Sequence, residues 1–116
     1  YDTLRYKIPL VMAGGAIRQP MTVSTLASQI DWVPTMLHQL DLDASAFIFA
    51  KDILSPTTVP YAYYNFVDGF ALLDTMGAVI IDATVNQPIM EVNPTAERVQ
   101  QAKAITQSIM QTLTAK

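Results

Sequence analysis

The stretch Ser28-Gln29-Ile30-Asp31-Trp32-Val33-Pro34-Thr35-Met36-Leu37-His38-Gln39-Leu40 decides how this chain is read. Asp31 stands where a helix N-cap is wanted, because a carboxylate there can accept orphan backbone N–H bonds at the positive helix end. Pro34 then falls in the first turn, where a missing N–H costs little. Val33, Met36, Leu37 and Leu40 follow the i, i+3, i+4, i+7 spacing of one apolar helix face. The spacing predicts a helix opening at Asp31, with that residue contributing roughly 0.5–2 kcal/mol as its cap.

Upstream lies Ile8-Pro9-Leu10-Val11-Met12-Ala13, ending at Gly14-Gly15. A short continuous apolar run of this kind predicts a strand buried on both faces of a parallel sheet. Pro9 lacks an N–H donor and suits only the first residues of such a strand. No second βα unit accompanies it, so its neighbouring strands are expected elsewhere. Ala16 to Ala27 reads as a connection, with Arg18-Gln19-Pro20 as a turn and Met21-Thr22-Val23 as a short extended piece.

Downstream, Asp41 to Pro60 reads as a loop anchored by Phe47, Ile48, Phe49, Ile53 and Leu54. An antiparallel meander is then predicted: Tyr61 to Phe66, a turn at Asp68-Gly69, Phe70 to Leu73, a turn at Asp74 to Gly77, Ala78 to Asp82, and Ile89 to Val92. A helix closes the chain from about Pro94 to Thr114. Asn93 is expected as its N-cap with Pro94 at the first position. Ala96, Val99, Ala102, Ile105, Ile109, Met110 and Leu113 form its apolar stripe, set to lie across the meander.

The 116 residues are 51% apolar and only 15% charged, with a net charge of −3. That is more apolar than a free-standing domain of this size needs, and it implies apolar surface facing a partner segment. The acidic balance argues against nucleic-acid binding, which needs a basic face to neutralise phosphates. Cysteine is absent, which excludes disulfides and thiolate zinc sites. The apolar run from Ile8 to Ile17 is far short of the roughly 20 residues that a bilayer span requires.

Four segments, in order, resemble the C-terminal third of the sulfatase domain in the alkaline phosphatase superfamily, especially lipoteichoic acid synthase-like enzymes. They are Ile8–Ala13 with Gly14-Gly15; Ser28-Gln29-Ile30-Asp31 with Pro34-Thr35-Met36-Leu37; Phe49-Ala50-Lys51-Asp52-Ile53-Leu54; and Tyr61-Ala62-Tyr63-Tyr64-Asn65-Phe66 with Asp68-Gly69-Phe70. Two departures touch turns: Asp41 stands where the family often ends its helix on glycine, and Ala50 stands where a glycine usually precedes Lys51.

The resemblance implies an α/β, alkaline phosphatase-like fold, of which residues 1–60 form the end of the large core and 61–116 a small antiparallel subdomain with a closing helix. It implies metal-assisted cleavage of a sulfate or phosphate ester, or transfer of a phosphoglycerol- or phosphoethanolamine-type group. In the family an Asp-His pair near an "S-D-H-G"-like turn binds a divalent cation (Mn, Mg, Ca or Zn) together with a threonine, serine or formylglycine nucleophile. The metal polarises the ester oxygen and activates the nucleophile. No such Asp-His pair occurs here, so no catalytic, cofactor-binding or metal-binding residue is assigned, and the ligands are expected N-terminal to the matched segments. The expected partner is that N-terminal part, with a homo-oligomer through exposed apolar surface as a further possibility. The parent is expected to be membrane-anchored with an extracytoplasmic catalytic domain, and this portion soluble and without a span.

Other candidate sites read as structural. His38, the only histidine, falls on the wet side of its helix and cannot alone build a triad or a His-rich metal site. Asp41, Asp43 and Asp52 have a calcium-loop-like spacing, but Ala46 and Asp52 occupy the places of the loop's central glycine and final glutamate. Gly14-Gly15 matches no phosphate-binding motif. Tyr61, Tyr63, Tyr64, Phe66 and Phe70 are the densest aromatic group, expected mainly as packing. Two alternatives to the enzyme reading are a self-sufficient α+β interaction module using that aromatic hairpin as its binding face, and a structural subunit that complements a separate catalytic chain.

Overall fold

The structure, a computed structural model, describes residues 6–15 and 17–115. Ala16, the first residue of the expected connection, lies outside them. A single 3₁₀ turn at Gln29–Asp31 leads into α1 (Trp32–Gln39), followed by β1 (Tyr61–Phe66), β2 (Gly69–Asp74), β3 (Ala78–Asp82), β4 (Gln87–Val92) and α2 (Ala96–Thr114). The four strands form one antiparallel sheet in sequence order. The predicted meander and closing helix are both present.

Turn chemistry sets the strand boundaries. The first hairpin turns at Val67-Asp68, with Phe66 paired to Gly69, so Gly69 opens β2 and is not part of the turn. It must be glycine for another reason: a Cβ there would lie 2.2 Å from the Ile81 carbonyl oxygen and 2.5 Å from the Phe66 ring. In the second turn the Asp74 carboxylate accepts the N–H groups of Met76 and Gly77 at 2.7 and 2.8 Å. In the third, Asp82 accepts from Thr84 at 2.7 Å and from Val85 at 3.2 Å, and Asn86 takes a left-handed conformation, which Asn tolerates. Pro88 sits on β4, an edge strand, where its missing donor harms no ladder. Beside it the register shifts, with Ile80 opposite Met90 and Ile81 opposite Pro88. Ile89 is thus the extra residue of a bulge.

Alternation divides the sheet into two faces. Tyr63, Phe70, Leu72, Val79 and Ile81 pack with Ala102 of α2, flanked by Tyr61, Val99, Ile105 and Ile109. Complete burial of side chains such as Ile81 and Leu72 contributes about 1.5–3 kcal/mol each. The Tyr63 hydroxyl is hydrogen-bonded to Thr106 at 2.9 Å, so this ring enters the core without an orphaned polar atom. The expected α2 stripe holds in its middle. Met110 and Leu113, at 55% and 66% exposed, run past the core.

The start of α2 corrects the expected cap. Asn93 is left-handed with φ 48°, and Thr95 is the N-cap, its hydroxyl accepting from the Arg98 N–H at 3.2 Å. The Arg98 side chain explains the displacement. It is 4% exposed and donates to Asp74 through Nε at 2.7 Å and Nη2 at 3.1 Å. Its Nη1 reaches the carbonyls of Asn93 and Val92, and Asn93 Nδ2 in turn donates to Met76 O. The chain entering α2 is folded around a guanidinium, and this bidentate pair pins the helix to the β2–β3 turn.

The end of α1 answers to another departure noted above. Asp41 is left-handed with φ 55°. The Leu42 N–H returns to Leu37 O at 2.9 Å and the Asp41 N–H to His38 O at 3.1 Å. This is a Schellman closure with aspartate in the place that glycine fills best.

The expected strand at Ile8–Ala13 needs correction. Residues 7–13 form no strand within the chain. Ile8, Leu10 and Val11 are 61%, 55% and 86% exposed, and no backbone hydrogen bond joins residues 7–13 to the other described residues. A strand requires a neighbour to pair its N–H and C=O groups. β1, the edge nearest in sequence, is already covered, as described next.

The Asp74 carboxyl is held below its ordinary value of 3.8, first by its hydrogen bonds to Arg98, with the Met76 and Gly77 amides adding to the effect. Stability from this pair is complete above the unfolded-state value of about 3.9. It is lost as pH falls through the lower folded-state value. Denaturant midpoints should therefore decline on the acid side of pH 4, and Asp74→Asn should lower stability at pH 7 while flattening that acid-side decline.

Candidate functional site

The most buried residues of the 28–40 stretch are polar. Asp31 and Thr35 are each 1% exposed, whereas Leu40, on the expected apolar face, is 54% exposed. Val33, Met36 and Leu37 are half-buried. The edge of α1 that meets the rest of the chain carries Asp31, Pro34 and Thr35.

Asp31 does not cap α1, and the expected role is corrected. Its backbone is already helical, φ −71° and ψ −20°, because the 3₁₀ turn precedes it. The carboxylate instead accepts the Ser28 N–H at 2.7 Å and the Lys51 N–H at 2.9 Å, and it pairs with the Lys51 ammonium. Lys51 Nζ also donates to Tyr61 O at 2.8 Å and lies 4.0 Å from the Tyr61 ring centroid. One turn on, the Thr35 hydroxyl donates to Asp31 O at 2.7 Å and accepts the Ile53 N–H at 2.9 Å. Ser28 Oγ accepts the Tyr63 N–H at 2.8 Å.

These bonds form a clamp. Asp31 and Thr35, at i and i+4, share one helix face and grip alternate amides of the loop, those of Lys51 and Ile53. Lys51 and Ser28 then satisfy an outward C=O and N–H of β1, an edge strand whose open groups would otherwise invite foreign pairing. Burial raises the Tyr61 hydroxyl pKa, and the nearby Asp31 charge raises it further.

The remaining candidates have separate duties. His38 is exposed, with Nδ1 3.0 Å from Asp52 Oδ2, and no serine or threonine hydroxyl bonds to it among the described residues. Asp52 also accepts the Leu54 N–H at 2.9 Å. Asp43 accepts both the N–H and the hydroxyl of Ser45, which lower its pKa. Gly14-Gly15 forms an exposed turn closed by Ile17 N–H to Gly14 O at 3.0 Å. The described residues contain no group of three or more His, Asp or Glu able to hold a metal ion. The most buried carboxylate, Asp31, is saturated by Lys51 and two amides.

The aromatic group splits between the two sheet faces. Tyr61 and Tyr63 join the α2 side. On the other side the Tyr6 ring stacks on Tyr64 at 4.4 Å and lies 6.3 Å from Phe66. The Tyr64 hydroxyl is buried without a hydrogen-bond partner. An aromatic pair contributes about 0.5–1.5 kcal/mol, and an orphaned buried hydroxyl costs roughly 1–3 kcal/mol, so the two effects are of comparable size. Two open concavities lie on the surface of the described residues. One, about 440 Å³, lies between β4 and the start of α2, lined by Pro88, Glu91, Thr95 and Val99 among others. The other, about 210 Å³, is an apolar pit formed by Ile30 and residues 46–50. In the first the Thr95 hydroxyl is engaged by the Arg98 N–H at 3.2 Å, and the second is lined by apolar side chains.

No helix among the described residues is long and apolar enough to cross a membrane. Comparison with protein-family models, curated proteins and solved structures finds no match to this chain.

Reading the sequence missed Thr35, Ser28 and Arg98 as contact residues. Asp31 and Lys51 lie 20 residues apart, and no local pattern joins them. Removing one partner of a buried ion pair costs about 3–5 kcal/mol, because the other charge stays buried without compensation. Asp31→Ala is expected to fall in that range, well beyond a lost cap. In a thermodynamic cycle measured by urea unfolding, Asp31→Ala with Lys51→Met should cost clearly less than the two single changes added together. Simple additivity would show that the pair does not act as a unit.

Proposed function

We propose that this chain is the C-terminal, non-catalytic portion of a metal-dependent sulfatase-like enzyme, either a sulfuric ester hydrolase or a phosphoglycerol- or phosphoethanolamine-type transferase. One observation carries this reading. Three of the four family-like segments are bound into a single block by Ser28, Asp31, Thr35 and Lys51, while the fourth, Ile8–Ala13, stands beside it exposed and unpaired. An apolar run with free backbone groups suits insertion between strands of a larger parallel sheet. In this reading residues 1–60 complete the alkaline phosphatase-like core, and the small sheet with α2 buttresses it. The metal, the nucleophile and the membrane anchor belong to the N-terminal part, which is the principal partner.

The interaction-module alternative draws less support. Tyr61 and Tyr63 are engaged by the α2 core and Lys51, and Tyr64 and Phe66 by Tyr6, so the hairpin offers no open aromatic face.

The test uses the protein encoded by the complete reading frame, assayed beside the 116-residue chain. Substrates are an aryl sulfate and an aryl phosphodiester, with Mn²⁺ or Mg²⁺ and with EDTA. The expected result is metal-dependent turnover by the longer protein and none by the isolated chain. Turnover by the isolated chain, or a longer protein inert on both substrates and lacking phosphoglycerol transfer to a lipid acceptor, would overturn the proposal.

A further inference from the structure

An aspartate serves each turn of the sheet, and one of them behaves differently. Asp74 and Asp82 each direct the carboxylate back onto two backbone N–H groups of their own turn, the ordinary use of aspartate at such places. Asp68 lies exposed in the two-residue turn between β1 and β2, and its carboxylate accepts no hydrogen bond among the described residues. What stands next to it is Gly69, and no other aspartate or asparagine in the chain precedes a glycine. Without a Cβ, glycine leaves its own amide nitrogen open to close approach by the preceding side chain. Packing fixes that glycine in place, since a Cβ would lie 2.2 Å from the Ile81 carbonyl oxygen. The fold therefore retains an Asp-Gly pair whose carboxylate has no structural duty.

We infer that Asp68-Gly69 is a site of spontaneous backbone isomerisation, gated by opening of the β1–β2 turn. The Gly69 nitrogen attacks Asp68 Cγ and forms an N–Cγ bond, while the amide proton and the carboxyl hydroxyl leave together as water. Water then opens the resulting succinimide. Cleavage of the N–Cγ bond restores aspartate. Cleavage between the Gly69 nitrogen and the Asp68 backbone carbonyl carbon leaves isoaspartate, with the chain running through the side chain and its mass unchanged. The folded turn restrains the first step. The Ala83 N–H donates to Asp68 O at 2.8 Å, and Gly69 is paired with Phe66 on one side and Asp82 on the other. Ring closure has to twist this peptide group out of those contacts, so the reaction passes through local opening. The product carries one more backbone atom, for which a two-residue hairpin loop has no place. An isomerised chain loses the tie from Asp68 to the β3–β4 turn, and the modification marks chains whose sheet has opened at this end.

The test holds the chain at neutral pH in buffer and, in parallel, in concentrated urea. Peptides are then sequenced by electron-transfer fragmentation, which separates isoaspartate from aspartate. Isoaspartate should accumulate faster at residue 68 than at any other aspartate, and several-fold faster in urea than in buffer. Asp68→Glu, whose longer side chain would have to close a larger ring, should abolish it. In urea too dilute to unfold the sheet, the rate should climb in step with hydrogen exchange of the Ala83 amide, which reads opening of the same contact. Failure of isoaspartate to form at residue 68 in urea would overturn the site. Equal rates in buffer and urea, or a rate indifferent to Ala83 exchange, would overturn the gate. None of these results bears on the activity assay of the longer protein, so the two proposals fail separately.

Discussion

The ion pair between Asp31 and Lys51 is the constraint on which the amino-terminal half of this structure depends. A carboxylate at 1% exposure and an ammonium at 13% have given up water, a loss that only close pairing and additional hydrogen bonds offset. Both groups are supplied: Asp31 accepts from two backbone amides, and Lys51 donates to a strand carbonyl and rests on an aromatic ring. Such a pair adds little net stability over a well-packed apolar substitute. It does penalise any arrangement in which one charge is buried without the other, and so it selects a single register among residues 28–37, 50–54 and 61–63.

The carboxyl-terminal half repeats the device with different partners. Arg98, nearly inaccessible, ties the first turn of α2 to the β2–β3 turn through Asp74. Its remaining donors go to the carbonyls of the chain entering the helix. In each half one cation drawn out of water fixes how the pieces meet, while the buried apolar cluster lies in the carboxyl-terminal half, on the sheet and α2. The halves themselves meet at β1, whose inner face belongs to the α2 core and whose free edge is sealed by Ser28 and Lys51.

Much of the local architecture was legible. The strands fell within two residues of expectation because Asp68, Asp74 to Gly77 and Asn86 carry turn chemistry that alternating apolar runs cannot override. Errors arose where distant residues decided the outcome. A helix-capping aspartate and a buried aspartate look alike in sequence, and only Lys51 distinguishes them. Arg98 adjoins Val99 of the apolar stripe, and only Asp74, 24 residues away, shows why it is buried. Asn93 was a sound N-cap candidate, displaced because its carbonyl is needed by Arg98. Ile8–Ala13 has the composition of a buried strand, yet pairing belongs to the neighbour as much as to the strand. No Asp-His pair occurs in the sequence, so no catalytic or metal-ligating residue was assigned.

The central claim is that the clamp makes residues 28–60 and the small sheet one cooperative unit. Native-state hydrogen exchange on the amides of Lys51, Ile53 and Tyr63 reads this directly, since each is bonded to a side chain of the clamp and none to a helix ladder. If the account holds, these amides exchange only through the same global opening that exposes Leu72 and Ile81 in the sheet centre, with matching free energies and denaturant dependence. Exchange at Lys51 and Ile53 at rates typical of an open loop, while the sheet stays protected, would contradict it.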